Sequence, residues 1–385
     1  MIETGFAYIA SLMAIGGLIR LTETTTRHRL FEYLPGVVML YFIVMVLASL
    51  GLWSWTDDVT AVNSTLKSDL LPAMIFLLLA KADLRRIVKL GPRMLLAFAA
   101  ATISIMIGFV VAFAIFQNWL EPHAWKAFAA LSGSWMGGTG NMLAVQAALE
   151  VPDSSIGYTL LMDSVDYALW VVILLALVPF ANRFNRWSGA DSGVIDKVSA
   201  SLAAAETGKP IDLTSILFLL GAALTVSAVS QALAAYAPTS AFFSTGTWAI
   251  FIATLIGVIA AMTPLGRMPG AIELGNVLLY AMIGLIASQA DFAGLAKAPL
   301  YIAAGLVVLA VHGLCLAAAA KVFRLDLFSC GVASLANIGG VASAPILAAA
   351  YSEALVPIGV LMALLGYIVG TGGGLFVGKL LSLMI

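Results

Sequence analysis

The amino-acid sequence predicts an all-α polytopic membrane protein of two inverted repeats, with about ten transmembrane helices and two re-entrant hairpins or broken helices. The first observation behind this prediction is composition: 62% of the 385 residues are hydrophobic and only 10% are charged, against roughly 25% charged in a soluble domain. The second is that the apolar residues form long runs, several near the ~20 residues that a spanning helix needs. The third is a single long polar stretch that divides these runs into two equal sets.

The pattern predicts twelve apolar segments. They cover residues 5–19, 34–52, 68–80, 92–117, 124–149, 156–181, 211–236, 245–263, 272–290, 298–320, 327–350 and 355–382. The first segment follows Glu3 and carries its first arginine after the apolar run, so we expect a retained helix rather than a cleaved signal peptide. The polar stretch divides the chain into an N-terminal repeat over 1–182, a cytoplasmic linker over 183–210 and a C-terminal repeat over 211–385.

The two halves resemble each other when their third segments are aligned. Lys81-Ala82-Asp83-Leu84 then matches Gln289-Ala290-Asp291-Phe292, and the run from Ser132 to Gly138 lies over the run from Ser334 to Gly340. Self-similarity at this scale predicts a duplicated architecture.

Positive charge predicts the orientation of each segment. Lys and Arg, 19 in total, concentrate in 20–29, 81–93 and the linker, whereas 57–69 and 117–126 have one each. Cytoplasmic flanks collect such charge, so the three basic regions should lie inside. Only one of the fifth and sixth segments can then span the membrane. The fifth contains four glycines within 133–140, which favours a re-entrant hairpin there, and the same logic makes the second half inverted.

The glycine-rich tip of each hairpin is the candidate substrate site. Glycine permits a positive φ and close backbone approach, and a helix that restarts after a tip offers its N-terminal amides to an anion. We expect Asn141 and Ser343 to cap these restarted helices, with Pro345 in the first turn of the second. The alternative is that small residues only allow close helix packing. The substrate-binding candidates are Ser132, Ser134, Gly137, Gly138, Thr139, Gly140, Asn141, Ser334, Asn337, Gly339, Gly340 and Ser343.

Asp163 and Asp166 are the candidate cation-binding residues. They lie one helical turn apart within the sixth segment, and a carboxylate near the bilayer centre costs about 2.5–3.5 kcal/mol on insertion scales. Such oxygens suit Na⁺ or a proton relay. Alternatively, one of them lies near the outer interface or bonds a neighbouring helix terminus.

Other chemistries find less support in the sequence. No nucleotide-binding motif is present, and the three histidines, His28, His123 and His312, are scattered, so we expect no cofactor and no transition-metal site. His312 is expected to be hydrogen-bonded within the bundle. A passive channel stays open, and so does a membrane-embedded enzyme using Ser134 with His312, although no nucleophile elbow supports it. Gln146 and Gln289 are either lining residues or interhelical contacts.

A family resemblance extends over nearly the whole chain, and three stretches show it best. They are 77–86, the Gly-Ser-Trp-Met-Gly-Gly-Thr-Gly-Asn tip at 133–141, and 333–340. They resemble the YjcL-like (DUF819) family of uncharacterised bacterial and plastid membrane proteins. More remotely, Gly137-Gly138-Thr139-Gly140 is similar to the re-entrant loops of sodium-coupled glutamate, 2-hydroxycarboxylate and bile-acid carriers. The second tip departs from that pattern at Val341-Ala342.

The remote resemblance implies cation-coupled, elevator-like transport of a small organic solute, anionic or zwitterionic. We therefore expect a non-enzymatic symporter in the cell inner membrane that binds a small-molecule substrate and the lipid bilayer. A homodimer is expected as well. The net charge of −1 suggests no nucleic-acid partner.

Overall fold

The computed structural model describes residues 1–26, 36–190, 210–239, 244–289, 298–352 and 355–385, and within these ranges the chain forms helices and no β-strand. Seven of the described helices are long and apolar enough to cross a membrane. The predicted class, an all-α multi-pass membrane protein, is confirmed.

The helices follow the predicted segments closely. The first half contains α1 (Gly5–Thr26), α2 (Gly36–Ser49), α3 (Asp57–Leu79), α4 (Leu84–Val88), α5 (Gly91–Phe116), α6 (Ala124–Gly137), α7 (Thr139–Ala148), α8 (Ile156–Leu177) and α9 (Ala181–Ser188). The second half contains α10 (Leu213–Ala234), α11 (Thr245–Ala261), α12 (Ala271–Ala287), α13 (Ala298–Phe323), α14 (Leu327–Ile338), α15 (Gly340–Tyr351) and α16 (Val356–Ser382).

The third segment begins earlier than its apolar pattern predicts. The sequence indicated 68–80, but α3 begins at Asp57 because Thr56 caps it, its hydroxyl accepting from the Val59 amide at 3.3 Å. Acidic residues in a first turn are also favoured by the helix dipole, and Asp57 and Asp58 lie there. The polar half of α3 is therefore helix rather than loop.

Part of the predicted linker is also helical. Its first residues form α9, and the Asn185 side chain accepts a hydrogen bond from the Leu327 amide at 2.9 Å, which joins the end of the first half to the start of α14. Residues 191–209 of the linker, and 290–292 of the predicted repeat match, lie outside the described residues.

One set of packed helices consists of α1, α2, α3, α10, α11 and α12, here called the six-helix group. Within it α3 packs against α10, α11 and α12. Polar side chains fix this packing: Asn63 Nδ2 donates to Leu285 O at 3.0 Å, and Ser227 Oγ donates to Asp69 O at 2.6 Å. Helices from both halves thus form one body.

The other set, here called the hairpin group, consists of α5 to α8 and α13 to α16. In it α16 packs against α6 and α15, and α13 packs against α5 and α8. Helices α5 and α13 approach closely, since a Cβ at Gly108 would lie 2.8 Å from Val308 O. The two groups meet where α7 lies against α3 and α11, and where α2 lies against α8.

Candidate functional site

The fifth predicted segment folds back on itself, forming the first hairpin from α6 and α7. The turn is a single residue, Gly138, with φ of 90°, a conformation that favours glycine. A Cβ at Gly133 would lie 2.9 Å from Val145 Cγ2, although twelve residues of one continuous helix would span about 18 Å. The predicted interruption at this tip is confirmed.

The second hairpin, formed by α14 and α15, has the same design. Its turn residue is Gly339, with φ of −117°, and α15 then begins at Gly340, with φ of 59°. A Cβ at Gly331 would lie 3.1 Å from Leu347 Cδ2 across the hairpin. The sequence match between the halves placed Gly138 over Gly340, and both residues have a positive φ. The positive φ falls on the turn residue at the first tip and on the first residue of α15 at the second.

Helix α16 lies across both tips through its glycines. A Cβ at Gly366 would be 3.1 Å from Met136 O of the first hairpin and 3.1 Å from Ala336 O of the second. One turn later, a Cβ at Gly370 would be 2.8 Å from the Gly137 Cα. Because Gly366 and Gly370 carry no side chain, both tips can lie close to this face of α16.

Asn141 links the first tip to α16. Its amide nitrogen donates to Gly137 O at 2.7 Å, and its amide oxygen accepts from the Thr371 hydroxyl at 2.6 Å. The prediction that Asn141 caps α7 is wrong: the residue before the helix is Gly138, and Asn141 already lies in the first turn. Gly138 alone makes the turn, so α7 begins two residues before Asn141.

Asn337 bonds in the same way at the second tip. Its amide nitrogen donates to Ala333 O at 2.9 Å, and its amide oxygen accepts from the Thr102 hydroxyl of α5 at 2.9 Å. Both asparagines thus bond a carbonyl one turn back and a threonine on a long helix. Each tip is fastened to a neighbouring helix through a buried amide.

The predicted cap of the second tip is also wrong. Helix α15 begins at Gly340 after Gly339, so Ser343 lies inside the helix rather than before it. Pro345 lies in the second turn, not the first. There the proline nitrogen packs closely on α16, since a Cβ at Gly359 would lie 2.9 Å from it.

Asp163 of α8 contacts the first hairpin directly. Its carboxylate accepts from Trp135 Nε1 at 2.8 Å and from the Ser134 hydroxyl at 3.2 Å. Both donors are buried side chains in the last turn of α6.

Asp166, one turn further along α8, is fully buried against α13. A Cβ at Gly305 would overlap its carboxylate and lie 2.9 Å from Met162 Cε. Neither carboxylate oxygen has a hydrogen-bond partner among the described residues. Because a buried carboxylate is costly without compensation, Asp166 is suited to hold a proton or a small cation.

A chain of hydrogen bonds connects α8 to the second hairpin. Trp170 Nε1 and His312 Nε2 both bond the Ser334 hydroxyl, each at 2.7 Å. His312 Nδ1 bonds the Ser104 hydroxyl at 2.7 Å, and that hydroxyl donates to the Ala101 carbonyl. His312 is therefore hydrogen-bonded within the bundle as expected, and its ring contacts Ser334 and Ser104 rather than Ser134.

The predicted tip residues are thus brought together, but they are tightly packed. Ser132 donates to Ala129 O of its own helix, and a Cβ at Gly140 would lie 2.8 Å from Leu78 Cδ1 of α3. Of the twelve candidates, three are half-buried and the others are buried. The half-buried residues are Gly138, Thr139 and Gly339.

A cavity of about 570 Å³ lies beside the first hairpin, between α7 and the six-helix group. Three polar side chains meet at its edge: Lys67 of α3 forms an ion pair with Asp153, and Gln146 of α7 donates to Asp153 at 2.8 Å. Lys67 also donates to Gln289 Oε1 at 3.0 Å, so Gln146 lines the cavity and Gln289 supports it. Sequence reasoning missed Lys67 and Asp153, although Asn63 and Lys67 have the spacing of one helix face.

These features define a class, a multi-pass membrane protein with two helical hairpins whose tips meet inside a helical bundle. The chain belongs to the family described as protein of unknown function DUF819, whose model matches residues 10–384. It is also similar to the uncharacterized membrane protein YjcL of Bacillus subtilis (strain 168), with 29% identity over 339 residues, which is 83% of this chain and 84% of that protein. The family predicted from the sequence is confirmed.

Proposed function

We propose that this protein is a cation-coupled secondary transporter of a small organic solute, anionic or zwitterionic, working by elevator-like alternating access. The observation that carries the proposal is the joining of two hairpin tips on α16 within one helical group, which borders a second group across a cavity. A hairpin group that slides past the six-helix group would expose the tips to each side of the membrane in turn.

Topology supports this proposal. The seven long helices, together with α2, α11 and α12 at 14 to 17 residues, would give ten spans, and each hairpin would enter and leave on one side. In the orientation that the positive charges predict, the first hairpin would enter the membrane from the outside and the second from the cytoplasm. Repeats of this inverted kind supply two nearly equivalent states.

The coupling ion is assigned to α8. Asp163 bonds the first hairpin, and one turn away Asp166 has two buried oxygens without hydrogen-bond partners in the described part of the chain. Binding of Na⁺ or H⁺ at this pair would neutralise charge inside the moving group and so permit its passage. We place the protein in the cell inner membrane as a homodimer in which the six-helix group forms the interface.

Uptake into proteoliposomes tests the proposal. A panel of radiolabelled organic acids and amino acids, assayed with Na⁺ or H⁺ gradients, should reveal saturable uptake that requires one gradient. Asp166→Ala and Asn141→Ala should each abolish it, whereas Asp57→Asn, at the exposed start of α3, should not. Conductance without a gradient requirement would indicate a channel, and chemical change of the solute would indicate an enzyme.

A further inference from the structure

The cavity between the two helical groups has walls suited to an apolar molecule of modest size. Leu71 of α3, Leu143 of α7, Ile250 of α11 and Met282 of α12 line it. Its volume of about 570 Å³ lies within the range typical of small-molecule sites, which are mostly apolar with a few placed polar groups.

The polar groups at the cavity fix the orientation of one amide. Gln146 Nε2 donates to Asp153 Oδ1 at 2.8 Å, and an acceptor such as a carboxylate requires the nitrogen on that side. Gln146 Oε1 therefore points away from Asp153. The side chain is 5% exposed, and this oxygen has no hydrogen-bond partner among the described residues.

An unpaired buried acceptor calls for a donor from a ligand. The charged residues lining the cavity in the described part of the chain are Lys67, Glu150 and Asp153. Two of these three are acidic, which favours a positively charged donor. An ammonium group would find two carboxylates at the cavity, next to the lining side chain of Gln146, whose buried amide oxygen has no partner among the described residues. A ligand with only a carboxylate would face like charge and leave that oxygen unpaired.

We infer that this cavity binds a small zwitterion with an apolar side group, its ammonium donating to Gln146 Oε1 and its carboxylate pairing with Lys67. The inference rests on the proposed transport function only in treating this ligand as the substrate. Lys67 belongs to the six-helix group and Gln146 to the hairpin group, so such a ligand bridges the two bodies.

Competition binding to the full-length protein in detergent tests the ligand class. Radiolabelled alanine, leucine and phenylalanine are the probes, and two analogues of leucine separate its charges: 4-methylpentanoate lacks the ammonium, and 3-methylbutylamine lacks the carboxylate. At least one zwitterion should bind, and both analogues should compete about tenfold less well than leucine, a factor worth about 1.4 kcal/mol. Equal competition by 4-methylpentanoate, or no binding of any zwitterion, would overturn the inference.

A pair of matched variants tests the residue. Gln146→Met keeps the side-chain length but removes the acceptor, together with the donor to Asp153, so zwitterion affinity should fall about tenfold, as sites lose binding when a polar partner is missing. Gln117→Met changes a glutamine outside the cavity, at the end of α5, and should leave affinity unchanged. Unchanged affinity in Gln146→Met would refute the assignment, and the wild-type competition series does not depend on how this variant folds.

These experiments distinguish an error in the inferred ligand class from an error in the proposed transport function. A zwitterion that binds through Gln146 but is never taken up under any gradient would refute the transport function and leave the ligand class intact. Gradient-driven uptake of another solute, unaffected by Gln146→Met, would refute the ligand class and leave the transport function intact.

Discussion

The contact between α16 and the first hairpin can be tested with one added methyl group. At Gly370 a Cβ would lie 2.8 Å from Gly137 Cα and 2.8 Å from Asn141 Cγ, whereas at Gly372 no atom from another part of the described chain would lie within 4 Å of it. Both glycines lie within α16 and two residues apart. Gly370→Ala and Gly372→Ala therefore form a matched pair that differs mainly in this contact.

The expected magnitude follows from the two terms involved. Alanine gains about 0.5–1 kcal/mol over glycine inside a helix, and this gain is common to both variants. Overpacking costs about 1–3 kcal/mol and applies only at Gly370, because backbone atoms of the tip cannot move aside cheaply. The free energy of unfolding of Gly370→Ala should thus lie about 1–3 kcal/mol below that of Gly372→Ala.

Reversible unfolding in detergent micelles titrated with SDS, followed by far-ultraviolet circular dichroism, measures this difference. Gly370→Ala should also reduce uptake, since it displaces Gly137 and Asn141 at the tip. Equal unfolding free energies for the two variants would refute the packing of α16 on the first hairpin.

Two further predictions concern individual side chains. Asn141→Ala and Thr371→Val should be coupled by about 1 kcal/mol in a double-mutant cycle of unfolding free energies, because each removes one end of the same buried hydrogen bond; additive effects would contradict that bond. At the start of α4, hydrogen bonds from Arg85 lower the pKa of the Asp83 carboxyl. The resulting stabilisation, below about 1 kcal/mol for a surface pair, should be present above about pH 4 and be lost as the pH falls through the lowered pKa, and Asp83→Asn should remove this pH dependence.

Much of the fold was predictable because a helix that crosses a bilayer must contain an apolar run as long as the bilayer is thick. Apolar runs such as 92–117 and 298–320 became α5 and α13 almost residue for residue, since a helix satisfies every backbone group in lipid. The interruptions were predictable for a different reason. Glycine clusters at positions that the sequence match aligned in both halves favoured turns there, and the turns occur at Gly138 and Gly339.

The cavity could not be predicted, because its residues come from distant parts of the chain. Lys67 and Asp153 are separated by 86 positions, and a hydropathy pattern does not report which helices become neighbours. The start of α3 was hidden for a related reason. Most polar residues in its first half are exposed and Asn63 is buried against other helices, so none of them extends the apolar run, and an apolar pattern alone begins too late.

The two candidate regions differ in how their polar groups are used, and this difference separates their roles. At the tips, Asn141 and Asn337 each bond protein atoms through both the amide nitrogen and the amide oxygen, so a ligand there would share an amide that is already bonded to Thr371 or Thr102. At the cavity, Gln146 has an oxygen with no partner among the described residues. In the proposed mechanism a solute therefore binds first beside α7, and the tips respond through the first hairpin, to which Gln146 and Asn141 both belong.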